Sequence, residues 1–365
     1  MVNKKITVIG LGLIGGSLVR ALRERVGIKD ITAINRSNEA IDEAIKDKSI
    51  TRGFNELNQF VYDSDIIFIC TPVKKTLDYI NIIKDKIKPG CIVTDVVSTK
   101  QEIVSYINGM ENPPTFIGGH PMAGTEKTGY ASGFVHLFEN AYYVLTPSKT
   151  SNEASLNLMK DIVKGIGAIP VVLDAGEHDK ITGCISHVPH IIASSLVNMV
   201  KDMDSSDGKM KMIAAGGFKD ITRIASSSPE MWENIVLSNK EQIKGILDIY
   251  VELLVKFKGY VENNASEEIY DFFESAKNYR DKFSTVKKGL IHPIYELMVD
   301  VIDKPGIIGE IATLLGSNGV NIKNIEVLNN REMVHGCLRI SLPDSESLHR
   351  AYELMATNCY KVYKC

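Results

Sequence analysis

The chain has 365 residues, 44% of them hydrophobic and 24% charged, with a formal net charge of -3. That length predicts two or three domains, and the composition is that of an ordinary globular protein. The near-neutral balance argues against a nucleic-acid partner and against an acidic interaction tail. Six cysteines, at 70, 91, 184, 337, 359 and 365, form no C-x-x-C pair. They predict free thiols in a reducing, cytoplasmic setting, with no disulfide framework. The chain enters a strand within a few residues, which does not fit a signal peptide, and no apolar run reads as a membrane span.

Ile6-Thr7-Val8-Ile9 reads as a buried strand. It leads into Gly10-Leu11-Gly12-Leu13-Ile14-Gly15, after which Leu18, Leu22 and Val26 keep helical spacing up to Gly27. This is G-x-G-x-x-G between a strand and a helix, the pattern of a dinucleotide site. The first glycine makes the turn, the second lets the backbone approach a pyrophosphate, and the third lets the helix pack on the strand. The helix start at Leu13 and Ile14 supplies N–H donors and partial positive charge to phosphates. A second strand over 31–34 ends at Asn35-Arg36-Ser37. Asn35 stands where an acidic residue would take the ribose 2′-hydroxyl of NAD. An amide does not repel a 2′-phosphate and Arg36 can pair with one, so the pattern admits NADP as well as NAD. Arg36 reads equally well as a surface residue stacked on adenine.

Further strands are expected over 65–70, 91–97, 115–117, 141–145 and 171–173, most of them separated by helical stretches. Such alternation predicts a parallel sheet with ligands at the carboxyl ends of its strands. Thr71-Pro72, Ser98 and His120 each follow such an end. His120 is read in a backbone-rich loop, Gly118-Gly119-His120-Pro121-Met122-Ala123-Gly124-Thr125-Glu126. An imidazole there can exchange a proton near neutral pH, or be a strand-end histidine satisfied by a carbonyl. Ser98 reads as a hydrogen-bond partner of His120 or of a substrate hydroxyl, as the N-cap of a helix from Thr99, or as both.

Beyond about residue 175 the pattern turns helical. Ser186 and His190 share a helix face, His187 and His190 are three apart, and Pro189 predicts a kink. With no third ligand in view, a polar cluster facing a substrate is expected rather than a metal site. Arg223 stands among apolar and small residues; its planar fork suits a substrate carboxylate, or a structural pair with Asp220. Ser228-Pro229 opens a long helix carrying Trp232, then Ile243, Leu247, Tyr250 and Leu254 on one face, a stripe suited to a core or dimer interface. Residues 282–292 read as a linker. From 294 the order strand, helix, strand, strand, helix, strand is that of a ferredoxin-like module.

Together the glycine motif, His120-Pro121-Met122-Ala123-Gly124-Thr125-Glu126, Ser186-His187-Val188-Pro189-His190 and Phe218-Lys219-Asp220-Ile221-Thr222-Arg223-Ile224-Ala225 with Trp232 resemble the prephenate dehydrogenases. Asp303-Lys304-Pro305-Gly306 and Gly319-Val320-Asn321-Ile322 resemble an ACT amino-acid-sensing module. The resemblance implies an α/β protein in three parts. These are a Rossmann-type doubly wound domain over 1–175, an all-helical substrate and dimerisation domain over 176–285, and a ferredoxin-like ACT domain over 294–365. It implies a homodimer that oxidises prephenate at C4, passes hydride to NAD or NADP, releases carbon dioxide and forms 4-hydroxyphenylpyruvate for tyrosine synthesis.

By the same resemblance His120 is the base, Ser98 orients its contact with the C4 hydroxyl, and Arg223 holds a carboxylate. Glu126, His190 and Trp232, with Thr125 and Ser186, gate or line the substrate pocket. Gly10, Gly12, Leu13, Ile14, Gly15, Asn35, Arg36, Thr71 and Pro72 form the cofactor set. Tyrosine is the implied effector, at a turn from Asp303 to Gly306 with Asn321. Asp95-Val96-Val97-Ser98 departs from the Gly-Ser form often found there, and Asn35 departs from the family aspartate. Arogenate in place of prephenate fits every residue named, whereas a β-hydroxyacid dehydrogenase fits neither the His120 nor the Arg223 motif. A non-catalytic dinucleotide and amino-acid sensor is the reading from another class.

Overall fold

Apolar runs without polar alternation, such as Ile66–Ile69, become strands buried on both faces of one sheet. In the computed structural model, residues 3–125, 127–282, 295–302, 304–328 and 335–364 are described. Glu126, Asp303 and most of the expected linker lie outside them. The chain divides into two compact units, Met1–Lys256 and Phe257–Cys365.

The first unit opens with β1 (Lys5–Ile9), α1 (Leu13–Ala21), β2 (Asp30–Ile34), α2 (Asn38–Lys46), β3 (Arg52–Phe54) and α3 (Gln59–Tyr62). β4 (Ile66–Ile69), α4 (Val73–Ile83), β5 (Ile92–Asp95), α5 (Gln101–Asn108), β6 (Thr115–Pro121), β7 (Tyr142–Pro147), α6 (Glu153–Gly165) and β8 (Ile169–Val172) complete a Rossmann-like layer. The strand order is β3-β2-β1-β4-β5-β6-β7-β8. One apolar cluster, with Leu18, Phe68 and Tyr143, and another, with Ile80, Ile103 and Phe116, cover its faces. Each such side chain contributes about 1.5–3 kcal/mol by leaving water.

Two expectations about this sheet are corrected. It is not wholly parallel, because β7 runs antiparallel to β6. And His120 does not follow a strand end: β6 continues to Pro121, with His120 opposite Val144. The glycines before it serve close packing rather than a loop, since a Cβ on Gly119 would lie 2.5 Å from the Asp95 carbonyl oxygen.

Helices follow: α7 (Ala175–Thr182), α8 (Val188–Met203), α9 (Lys209–Ile213), α10 (Gly216–Thr222), α11 (Pro229–Ser238) and α12 (Lys240–Glu262). α7 and α8 are joined by a wide π-turn over Gly183–His187, giving a helical run of 29 residues. Pro189 therefore does not break the helix; the missing N–H is absorbed by the widened turn. Contrary to the sequence expectation, this run is long and apolar enough to cross a membrane. Its His178, Asp179 and His187 are buried and bonded inside the unit, whereas Ile185, Met199 and Met203 are exposed within the single chain. The single long helix expected after Ser228 is two helices, parted at Asn239.

The second unit contains α13 (Ser266–Lys282), β9 (Tyr295–Ile302), α14 (Ile307–Ser317), β10 (Asn324–Leu328), β11 (His335–Leu342), α15 (Ser345–Thr357) and β12 (Lys361–Lys364). Its antiparallel sheet has the order β10-β11-β9-β12. Leu297, Val299, Ile311, Leu338, Ala351 and Met355 form its core. This is the expected ferredoxin-like order, with Gly306 at φ +93° before α14.

Candidate active site

At the carboxyl end of β1 the glycine motif performs three different tasks. Gly10 has φ +100°, and a Cβ there would lie 2.5 Å from the Cys70 carbonyl oxygen. A Cβ on Gly15 would lie 1.9 Å from the Gly10 carbonyl oxygen, so α1 can approach β1 only with glycine there. Around a Cβ on Gly12 there is nothing within 4 Å. That open cradle, at the N-cap of α1 before Leu13 and Ile14, fits a pyrophosphate.

The second cofactor element is the end of β2. Leu11 N donates to Asn35 Oδ1 at 3.0 Å, and Asn35 Nδ2 donates to the Ser37 carbonyl at 3.2 Å. The amide is therefore oriented, tying the glycine loop to the ribose-side turn. Asn55 Nδ2 braces this turn from β3 by donating to the Asn35 carbonyl at 3.1 Å and to Asn38 Oδ1 at 2.8 Å. Asn55 belongs to no motif, and sequence reasoning missed it. Arg36 is exposed. Thr71 follows β4 and bonds Thr76, and Pro72 is the N-cap residue of α4.

His120 is buried in a chain of hydrogen bonds. Its Nδ1 lies 2.8 Å from His178 Nε2, and His178 Nδ1 lies 2.7 Å from Asp179 Oδ1. Asp179 also accepts from Lys100 N at 2.7 Å and Gln101 N at 2.9 Å. As an acceptor from these N–H groups, Asp179 places the His178 proton on Nδ1. His178 Nε2 then accepts from His120 Nδ1–H, which leaves His120 Nε2 as the basic nitrogen. Burial first, then His178, Lys100 and His187, hold His120 well below the ordinary imidazole range. The ring is accordingly neutral at neutral pH and able to take a proton.

The partner of His120 is thus His178, not Ser98; among the described residues no hydrogen bond joins Ser98 to His120. Nor does Ser98 cap the next helix. α5 starts after Lys100, and its first N–H groups are capped by Asp179 from 78 residues away. The helical pattern beyond about residue 175 does not single out His178 or Asp179, whose roles sequence reasoning missed. Asp95 was likewise passed over: it forms a buried ion pair with Lys100 and accepts from Gly119 N at 3.1 Å and Val97 N at 3.0 Å.

A second polar group joins the π-turn to α11. His190 Nδ1 donates to the Ser186 carbonyl at 2.9 Å, and its ring stacks on Trp232 with centroids 3.8 Å apart. The buried Trp232 Nε1 has no hydrogen-bond partner among the described residues. His187 is directed elsewhere: Asn239 Nδ2 donates to its Nδ1 at 3.0 Å and to the Asp179 carbonyl at 2.8 Å. This inward pull on Asn239 accounts for the break between α11 and α12. Arg223, at the end of α10, is exposed within the chain; burial first, and then the Arg223 charge, hold His190 below the ordinary imidazole range. Thr125 is exposed and accepts from Lys127 N.

These histidines predict an acid-labile fold. Burial pushes His187 down to about 4 from its ordinary 6.5. Its contribution to stability is complete above the unfolded value of 6.5 and is lost as pH falls towards 4. At about pH 5 the expected loss from His187 alone is about 2 kcal/mol. Thermal unfolding followed between about pH 8 and pH 5 checks this; His187→Gln should flatten the dependence.

Three family models align with the chain. "Prephenate dehydrogenase, nucleotide-binding domain" matches 18–172, "Prephenate dehydrogenase, dimerization domain" matches 174–275, and "ACT domain" matches 295–350. The prephenate dehydrogenase of Bacillus subtilis (strain 168) is 39% identical over 348 residues, covering 95% of this chain and 94% of that protein. That of Lactococcus lactis subsp. cremoris (strain MG1363) is 37% identical over 363 residues, covering 96% and 97%. The crystal structure of prephenate dehydrogenase from A. aeolicus, in complex with hydroxyphenyl propionate and NAD+, superposes with a TM-score of 0.73. Its sequence is 29% identical, and the match covers 78% of this chain and 99% of that one.

Proposed function

The chain belongs to the prephenate dehydrogenase family, and from that premise we propose that it converts prephenate to 4-hydroxyphenylpyruvate in tyrosine biosynthesis. The observation that carries this reading is the His120–His178–Asp179 chain, which leaves one neutral imidazole nitrogen as a base. Nε2 of His120 takes the proton of the C4 hydroxyl as the C4 hydride departs. The ring carboxylate leaves as carbon dioxide, and aromatisation makes the step downhill. A bound nicotinamide dinucleotide supplies the hydride acceptor. Gly10, Gly12, Leu13, Ile14 and Gly15 would hold its pyrophosphate, Asn35 and Arg36 its adenosine ribose, and Thr71 and Pro72 the nicotinamide side.

As His120 becomes cationic, its Nδ1–H continues to donate to His178, and the Asp179 carboxylate stabilises the charge through that ring. Ser98 orients the substrate hydroxyl. Arg223, which is exposed within one chain, takes a substrate carboxylate. Trp232, whose indole N–H has no hydrogen-bond partner among the described residues, would line the pocket with His190 and Ser186; the motif assigns Thr125 and Glu126 to the same pocket. Arg223→Ala is expected to raise the substrate KM at least about 30-fold with a smaller change in kcat, the cost of leaving a carboxylate without its fork. Initial-rate kinetics measure it; an unchanged KM would remove Arg223 from the site.

The neutral Asn35 beside Arg36 supports use of NADP alongside NAD, and the substrate residues His120, Ser98 and Arg223 would accept arogenate as they would prephenate. The assignment further holds three domains, 1–175, 176–285 and 294–365, supported by the spans of the family models. A homodimer is supported by the dimerisation-domain match and by exposed Met203, Met212, Ile213 and Ile249. A cytoplasmic setting is supported by five free thiols among the described residues. Tyrosine would act through the ACT domain, at the turn from Asp303 to Gly306 with Asn321. The decisive assay crosses prephenate and arogenate with NAD and NADP, with and without tyrosine, following nicotinamide reduction. Turnover with prephenate supports the reading. Turnover with arogenate alone transfers the same site to the sister substrate, and no turnover with either defeats it.

A further inference from the structure

Lys100 is a fully buried cation with no place in the chemistry described above. A buried ammonium is costly unless its partners are well placed, so its presence under the reaction base calls for an account. Its stem passes Gly118, where a Cβ would lie 3.1 Å from Lys100 Cδ. Its ammonium pairs with the fully buried Asp95. Asp95 Oδ1 accepts from Gly119 N at 3.1 Å, the residue before His120, and Oδ2 accepts from Val97 N at 3.0 Å, the residue before Ser98. The backbone N–H of the same lysine donates to Asp179 Oδ1 at 2.7 Å.

These contacts close a ring. From the Lys100 N–H it runs through Asp179, His178 and the His120 imidazole, along the peptide to the Gly119 N–H, through Asp95, and back to the Lys100 ammonium. We propose that Lys100 is a positioning residue for His120, anchoring both the imidazole and the strand that carries it. The inference rests on His120 being the reaction's base. A cation in this place also repels a proton from His120. The titratable groups facing that ring are His178 from α7, His187 from the π-turn and Lys100 from the start of α5, with Asp179 and Asp95 behind them.

The test uses the full-length protein with Lys100→Met, and the charge-neutral double variant Lys100→Met/Asp95→Asn in case the single change leaves too costly an unpaired carboxylate. Four quantities are read: kcat, the substrate KM, the acid limb of kcat/KM, and the His120 titration by NMR, assigned against His120→Asn. For Lys100→Met we expect kcat to fall about 30-fold and KM to stay within about 3-fold, since a misplaced base affects the transition state more than ground-state binding. The acid limb and the His120 titration should both move up by about one unit, since removing a nearby cation favours the protonated ring. The double variant should move both in the same direction by less.

Two outcomes overturn the proposal in a folded variant: kcat and titration both as in the wild type, or a fall in kcat with the His120 titration unmoved. The latter would make Lys100 a core charge alone. Full turnover in His120→Asn would defeat the base assignment instead. The NMR titration still reports on the ring in that event, so the two failures are distinguishable.

Discussion

His120→Asn is expected to lower kcat by about 10²–10⁴-fold while leaving the substrate KM near the wild-type value. The size follows from the task. The C4 hydroxyl must lose its proton as hydride leaves, and an amide cannot accept that proton. The KM expectation follows from the geometry, because Asn can still donate to His178 Nε2 and so preserve the buried chain that shapes this end of the pocket. Steady-state rates with prephenate, and substrate binding measured by calorimetry, separate the two effects. Wild-type turnover in this variant would remove the general-base role. Equal losses in turnover and binding would instead make His120 a binding group.

Asp179→Asn is expected to cost nearly as much, about 10²–10³-fold in kcat, although Asp179 touches no substrate. Its carboxylate accepts from His178 Nδ1–H, Lys100 N and Gln101 N. An amide offers one acceptor oxygen. With that oxygen on the α5 N–H groups, its NH₂ turns to His178 Nδ1 and shifts the His178 proton to Nε2. That proton then points at His120 Nδ1, so the His120 proton must sit on Nε2, and the base is blocked in its ground state. One oxygen now serves two N–H groups that the carboxylate bonded with separate oxygens, so the α5 cap is weakened, at a cost of up to about 1 kcal/mol. The distinguishing readout is the ¹⁵N chemical shift pattern of His120, which reports its tautomer. A large loss of kcat with the wild-type tautomer would point to collapse of α5 rather than to the proton chain.

Local signals carried far in this chain. Glycine spacing between a β-branched run and a helix specifies a phosphate cradle, because the steric demands at Gly10 and Gly15 come from residues close in sequence or from the neighbouring strand. The ferredoxin-like order of the C-terminal unit was legible for a similar reason: its alternation and turns are set within short windows. The histidine at 120, the arginine at 223 and the tryptophan at 232 could be named from motifs, which list residue types without their contacts.

What those residues do to one another depended on tertiary contacts that no window contains. His120 meets His178 across 58 residues, Asp179 caps α5 across 78, and Asn239 reaches Asp179 across 60. The break at Asn239 illustrates the limit: helical propensity on both sides favours one continuous helix, and a buried amide drawn to a distant carbonyl and imidazole overrides it. The extension of β6 through His120 is a similar case, since it is the antiparallel β7 that supplies its hydrogen bonds. Proton positions are the most non-local property of all. The basic nitrogen of His120 is chosen two side chains away, by a carboxylate whose other duties belong to a different helix.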